Sequence, residues 1–173
     1  MNYFQLFQVP AQFDLDLTEL GTRYLELQRN FHPDNFAAGS ERDRLLAVQQ
    51  AANINDAYHS LKQPLLRAEH LLALRGLKIS HEQRSFTDTR FLMQQMELRE
   101  LLGDILHSSD PYALIDEAEQ QIQQHKSGLL RLLSQALEVN QHEQDLQAAD
   151  IIRKLKFVFK LQHELELIEQ QLQ

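Results

Sequence analysis

Apolar residues recur along most of this chain at the three- and four-residue spacing of amphipathic helices. A short apolar segment holds Phe4, Leu6 and Phe7. Val9-Pro10 then keeps the first helix brief, because proline disfavours helix at the residue before it. Asp16 or Thr18 can cap a second helix. Leu20, Tyr24, Leu27 and Phe31 form one stripe along it, and Pro33 stops it at about Phe31 or His32. Residues 33–40 read as a loop. A third helix is predicted from about Glu41 to Leu61, striped by Ala47, Ala51, Ile54, Tyr58 and Leu61. Two matching stripes joined by a short loop predict an antiparallel hairpin. Pro64 opens a fourth helix through Leu65, Leu66, Ala68, Leu71, Leu72 and Leu74, which Gly76 ends.

The rhythm loosens after Gly76, at Lys78, Ser80, His81, Glu82, Gln83, Arg84 and Ser85. The domain boundary is placed there, with 1–76 as one unit, 77–87 as linker and 88–173 as the second unit. Thr87 or Asp88 can cap a helix from about Thr89 to His107. Asp110 and Pro111 are the cap and first residue of the next, which reaches about Leu137. After a break at Asn140/His142, a last helix runs from about Asp145 to Leu172. Three long helices with short connections predict an up-down-up bundle. The chain is therefore expected to be all-α: a helical hairpin with flanking helices, joined to a C-terminal three-helix bundle.

Along the helix from residue 88, Phe91, Leu98, Leu102 and Ile105 fall within about 60° of one another and make a core-facing stripe. Leu92, Met93 and Met96 fall on the other side, beside Glu97, Glu100 and Asp104. An apolar patch rimmed by acids fits a protein-binding face, and methionine, flexible and polarizable, suits it. It fits equally a broad packing face against other helices.

Composition supports the helical reading: five Gly, four Pro, no Trp and a formal charge of −8. Residues 1–75 carry seven Lys/Arg against nine Asp/Glu, and the remainder ten against sixteen. This balance excludes the concentrated basic surface of a nucleic-acid binder. The absence of cysteine removes disulfide, thiolate and redox chemistry. The N-terminus lacks a signal-peptide pattern, and no apolar run approaches the ~20 residues needed to span a bilayer. A soluble, cytoplasmic protein is expected. The eight histidines (His32, His59, His70, His81, His107, His125, His142 and His163) contain no i, i+3 or i, i+4 pair. In His163-Glu164-Leu165-Glu166-Leu167, Leu167 stands where a zinc-protease helix has its second histidine. Neither a metal, a cofactor nor an active site is expected, which counts against a metal-dependent hydrolase.

The tripeptide His32-Pro33-Asp34 sits between the helix stop and the returning helix. By composition it would arise by chance in about one in a hundred chains of this size. Turn chemistry alone explains it as a helix end, with Asp34 bonding its own backbone; its surroundings make it a stiff, polar knuckle that a partner could grip.

Residues 1–75 as a whole resemble a J-domain. The resemblance rests on Tyr3-Phe4-Gln5-Leu6-Phe7, the Tyr24/Leu27/Phe31 stripe, the His-Pro-Asp loop and Ile54-Asn55-Asp56-Ala57-Tyr58. It implies docking to a DnaK-type ATPase chaperone and stimulation of its ATP hydrolysis through His32, Pro33 and Asp34. It also implies that basic residues of the second helix, here Arg23 and Arg29, face that chaperone. The sequence departs from the pattern at Asn35, where Lys or Arg often follows the tripeptide, and Glu26 lies between the two arginines.

The second half narrows the resemblance. Asp88-Thr89-Arg90-Phe91-Leu92-Met93-Gln94-Gln95-Met96-Glu97-Leu98-Arg99-Glu100 is similar to the corresponding helix of the HscB family, the J-type co-chaperones of iron–sulfur cluster assembly. So are Arg153-Lys154-Leu155-Lys156-Phe157 and Pro64-Leu65-Leu66-Arg67-Ala68-Glu69. This resemblance implies a bundle that binds the cluster scaffold protein IscU through Leu92, Met93, Met96, Glu97, Glu100, Asp104 and Phe157. It implies delivery of that scaffold to the chaperone HscA, with no enzymatic activity, cofactor, nucleic acid or membrane. Met96 stands where the family can have Leu, a volume-conserving change. A general J-protein delivering unfolded clients is the alternative.

Overall fold

The computed structural model describes residues 1–79 and 87–173. Most of the expected linker, with His81, lies outside the described residues. The chain divides into two compact units, Met1–Lys78 and Ile79–Gln173. Among the described residues all regular structure is helical, and no helix is long and apolar enough to cross a membrane.

In the first unit, α1 is a single turn, Tyr3–Leu6, fixed by a reciprocal cap. The Asn2 side chain accepts from the Gln5 N–H, and the Gln5 side chain accepts from the Asn2 N–H. Helix α2 spans Leu17–Asn30, and Asp16 is its cap, accepting from the N–H groups of Thr18 and Glu19. Helix α3 spans Glu41–Lys62 under a Ser40 cap. Helix α4, Pro64–Leu74, opens with proline and closes at Gly76, whose φ of +88° is the left-handed conformation glycine tolerates. The stretch 33–40, expected as plain loop, contains a 3-10 turn over Pro33–Phe36. Proline at the first position has the required φ and no N–H to leave unpaired, so the turn forms where an α-helix cannot continue.

Phe4, Phe7, Leu20, Ile54, Leu61 and Leu72 are fully buried and knit the four helices together. The α2–α3 pairing is pinned by aromatic stacking. The Tyr24 and Tyr58 rings lie 4.0 Å apart and nearly parallel, the Tyr24 hydroxyl donates to Asn55 Oδ1 at 2.8 Å, and Gln28 Nε2 donates to that hydroxyl. Buried Arg67 is the polar lock of the unit. Its Nε donates to the Phe13 carbonyl at 2.6 Å and a terminal nitrogen to the Leu61 carbonyl at 2.8 Å, with the guanidinium over the Phe13 ring. Guanidinium donors answer two carbonyls that lie outside any helical ladder partner, so the segment leading into α2 is tied to the α3–α4 corner.

In the second unit, α5 spans Thr89–Asp104 and tightens into a 3-10 turn over Ile105–His107, where one continuous helix was expected. Asp110 caps α6, Pro111–Glu138. Helix α7 spans His142–Leu172, starting ahead of the expected Asp145. Asp145 is not the cap: it lies in the first turn, where the helix dipole favours an acid, and its own N–H is already bonded to the Gln141 carbonyl. Phe91, Leu98, Leu102 and Ile105 face Ile115, Ala118 and Ile122 of α6 and Val158, Leu161 and Leu165 of α7. The stripe expected to face the core does so.

Gln95 interrupts this core. It is 7% exposed, and both polar atoms of its amide lack a protein partner. Two predictions follow from the burial pattern. Arg67→Met should lower the stability of the first unit by about 2–4 kcal/mol in urea unfolding of the full chain, since two buried carbonyls lose their donor. Gln95→Leu should raise the stability of the second unit by about 1–2 kcal/mol in the same assay, by removing two unanswered polar atoms.

Candidate partner-binding surfaces

The His32-Pro33-Asp34 knuckle is built by the end of one helix and the start of a turn. Helix α2 closes with the Phe31 N–H bonded to the Leu27 carbonyl. His32 then turns extended and caps the 3-10 turn, its Nδ1 accepting from the Asp34 N–H at 3.2 Å. The bond direction differs from the simple turn considered above: the ring of His32 caps the Asp34 backbone, and the Asp34 carboxylate is left almost fully exposed. Asn35, the departure from the family pattern, has its own structural task. Its Nδ2 donates to the Arg29 carbonyl at 2.6 Å, drawing the loop onto the last turn of α2.

Of the two arginines implied to face a partner, Arg29 is exposed near the loop. Arg23 is paired with Glu19 at 2.9 Å, one helical turn away, and also reaches Gln8. Part of its charge is therefore spent within α2.

On the second unit, Leu92, Met93, Met96 and Phe157 are all exposed, Met96 the most at 70%. Leu92, Met93 and Met96 project from α5 opposite the buried stripe. Glu97, Glu100 and Asp104 are exposed on the same helix. Two ion pairs set the register of α5 against α7. Lys154 bonds Asp88 at 2.8 Å and Arg99 meets Glu164 at 3.7 Å, sequence separations of 66 and 65 residues. The two helices thus run parallel, and Phe157 lies level with Leu92. An aromatic side chain of α7 and the aliphatic and thioether side chains of α5 occupy the same end of the bundle.

Lys154 stands in the sequence only as part of the family-like run 153–157, with no role of its own. Its ammonium lies over the Phe91 ring and bonds both Asp88 and Asp150. That hydrogen bond, with help from the Phe91 N–H, holds the Asp88 carboxyl below its ordinary pKa. Burial opposes the charge on Lys154, but the two carboxylates outweigh it and push the ammonium above its usual value. The signal was present as an acid at a helix cap and a lysine on a core-facing position of α7, but nothing in one sequence pairs them. Among the described residues no group of three or more His, Asp or Glu could hold a metal ion.

A His-Pro-Asp turn raised on a helical hairpin, followed by a helical bundle with an exposed apolar face, defines a J-domain protein with a C-terminal helical bundle. The family model described as the HSCB C-terminal oligomerisation domain matches residues 87–166. A Co-chaperone protein HscB homolog of Shewanella baltica (strain OS195) is 51% identical over 169 residues, spanning 98% of this chain and 97% of its own. The corresponding homolog of Shewanella denitrificans is 52% identical over the same span. Among solved structures, chaperone HscB from Vibrio cholerae is 48% identical with a TM-score of 0.86, covering all of both chains. Human co-chaperone HscB is 27% identical with a TM-score of 0.87, covering 98% of this chain and 82% of that one. The chain belongs to the HscB family of co-chaperones.

The Asp88–Lys154 pair has a measurable consequence. A carboxylate depressed on folding stabilises the unit above its unfolded pKa and loses that contribution as pH falls through the folded value. Acidification from about pH 7 to about pH 3 should therefore lower the thermal midpoint of the second unit, and Asp88→Asn should flatten this acid limb.

Proposed function

We propose that this protein couples an iron–sulfur cluster scaffold to a DnaK-type ATPase in the cytoplasm. The C-terminal bundle holds a scaffold of the IscU type through Leu92, Met93, Met96 and Phe157, with Glu97, Glu100 and Asp104 forming the polar rim. The N-terminal unit, residues 1–76 with 77–87 as the connecting linker, presents His32, Pro33 and Asp34 to an HscA-type chaperone, with Arg23 and Arg29 on the adjoining helix. Docking stimulates ATP hydrolysis, and the chaperone's ATP-driven cycle loosens the scaffold's grip, easing cluster transfer. The chain contributes binding and orientation and no chemistry of its own.

The observation that carries this reading is the pairing of features on one chain. A rigid polar turn is presented by one unit, and an exposed apolar face by the other. Leu, Met and Phe side chains left in water cost free energy unless a partner covers them, so Leu92, Met93, Met96 and Phe157 together mark a contact face. The turn has a different logic. The internal bonds of His32 and Asn35 fix its backbone, so a partner meets a preformed shape and less ordering entropy opposes docking.

The two halves of the proposal separate experimentally. His32→Gln should abolish stimulation of the chaperone's steady-state ATPase while leaving scaffold affinity, measured calorimetrically, unchanged. Replacing Leu92, Met93 and Phe157 together with Ala should weaken scaffold binding by about 3 kcal/mol or more and leave scaffold-independent stimulation intact. Stimulation by His32→Gln equal to that of the parent would exclude the chaperone reading; undiminished scaffold affinity in the triple variant would exclude the proposed face.

A further inference from the structure

The chain holds three methionines and no cysteine. Met1 is the first residue, and the other two, Met93 and Met96, both stand on α5. They are 57% and 70% exposed, so neither fills a gap in the core, a common task of methionine inside a protein. At 100° and 1.5 Å per residue, their side chains leave the helix about 60° and about 4.5 Å apart. Leu92 lies about 40° from Met96 on the same side. The two thioethers are therefore neighbours within the apolar face, each with an exposed carboxylate, Glu97 or Glu100, one helical turn further on.

Methionine differs from the leucine and phenylalanine beside it in one respect: a peroxide can make it polar. A lone pair on Sδ attacks one oxygen of hydrogen peroxide, the O–O bond breaks, and the second oxygen leaves as water. Sulfur loses two electrons and the peroxide gains them. The product is a sulfoxide, polar and still exposed. Covered by an apolar partner, its oxygen would give up water with no donor to replace it, which is unfavourable. Both sulfurs are reached without any opening of the fold, and no thiolate on this chain competes for the oxidant.

We infer that Met93 and Met96 form a reversible oxidation site, and that their conversion to sulfoxides releases the scaffold from the apolar face. The inference deepens the scaffold reading above and rests on it. The oxidant is of the peroxide class. The reductant is a dithiol acting through methionine sulfoxide reductases, which returns the thioether and yields water and a disulfide. The side chains that make the contact are thus the ones an oxidant switches.

The test uses the full chain, treated alone with hydrogen peroxide and freed of it before a scaffold of the IscU type is added. Peptide mass spectrometry should find both residues converted, Met96 ahead of Met93 in line with its greater exposure. Calorimetry should then show scaffold affinity weaker by about tenfold or more, with helical circular dichroism and the thermal midpoint kept. Dithiothreitol with both epimer-specific methionine sulfoxide reductases should restore that affinity. Met93→Leu/Met96→Leu keeps Met1; compared with its own untreated form, it should change by less than about twofold on peroxide treatment. Methionines that stay reduced, full conversion with affinity unchanged, or an equal loss in the double variant would each overturn the site. So would a loss that reduction leaves in place, or unfolding of the treated chain. An untreated parent without scaffold affinity would overturn the scaffold reading itself, and this inference with it.

Discussion

The face-to-face stack of Tyr24 on Tyr58 is the contact on which the first unit's usefulness rests. Such a pair contributes about 0.5–1.5 kcal/mol beyond the area it buries, but its geometric effect is larger. It crosses from the middle of α2 to the last turns of α3, and the Tyr24 hydroxyl bonds to Asn55 add direction. Two helices held at this register can close their far end only through the residues between Asn30 and Ser40. The proline stop, the His32 cap and the Asn35 bond resolve that closure into one conformation. The knuckle is therefore as rigid as the hairpin beneath it.

The second unit solves a different problem. Its long helices α6 and α7 share an extended seam of Leu133, Leu137, Ala148, Ala149, Ile152 and Leu155, and α5 lies against the other half. α5 must do two things within about two turns of helix: anchor inward through Phe91 and Leu98, and display Leu92, Met93 and Met96 outward. The Lys154 bridge at its start and the Arg99–Glu164 pair further along fix its rotation, which decides which side chains are displayed. Gln95 works against this anchoring, leaving α5 less firmly seated than an all-apolar stripe would.

Much of this was legible in the sequence because its punctuation is strong. Asp16, Ser40, Asp88 and Asp110 are caps whose side chains bond the first free N–H groups, and Pro33, Pro64 and Pro111 mark stops and starts. The stripes on α2, α3 and α5 named their inner faces for the same reason: a 3.6-residue period allows only one. What escaped were features made by residues far apart or by fine geometry. Arg67 was visible only as part of a family-like run, since its acceptors, the Phe13 and Leu61 carbonyls, are assigned by the fold alone. The 3-10 character of Pro33–Phe36 and the direction of the His32 bond depend on ring orientation, which no residue pattern encodes. Asn35 read as a missing charge and is a loop tie.

The parallel run of α5 and α7 has a consequence in time as well as space. Because Phe157 joins Leu92 only after an intervening antiparallel helix has been laid down, the apolar face is assembled from segments some 65 residues apart. The unit ending at Lys78 is complete much earlier in the chain. During synthesis from the N-terminus the hairpin and its turn can form while α7 is still unmade. A growing or truncated chain can therefore acquire its knuckle before its exposed apolar face, and the two become available together only on a molecule that has been finished.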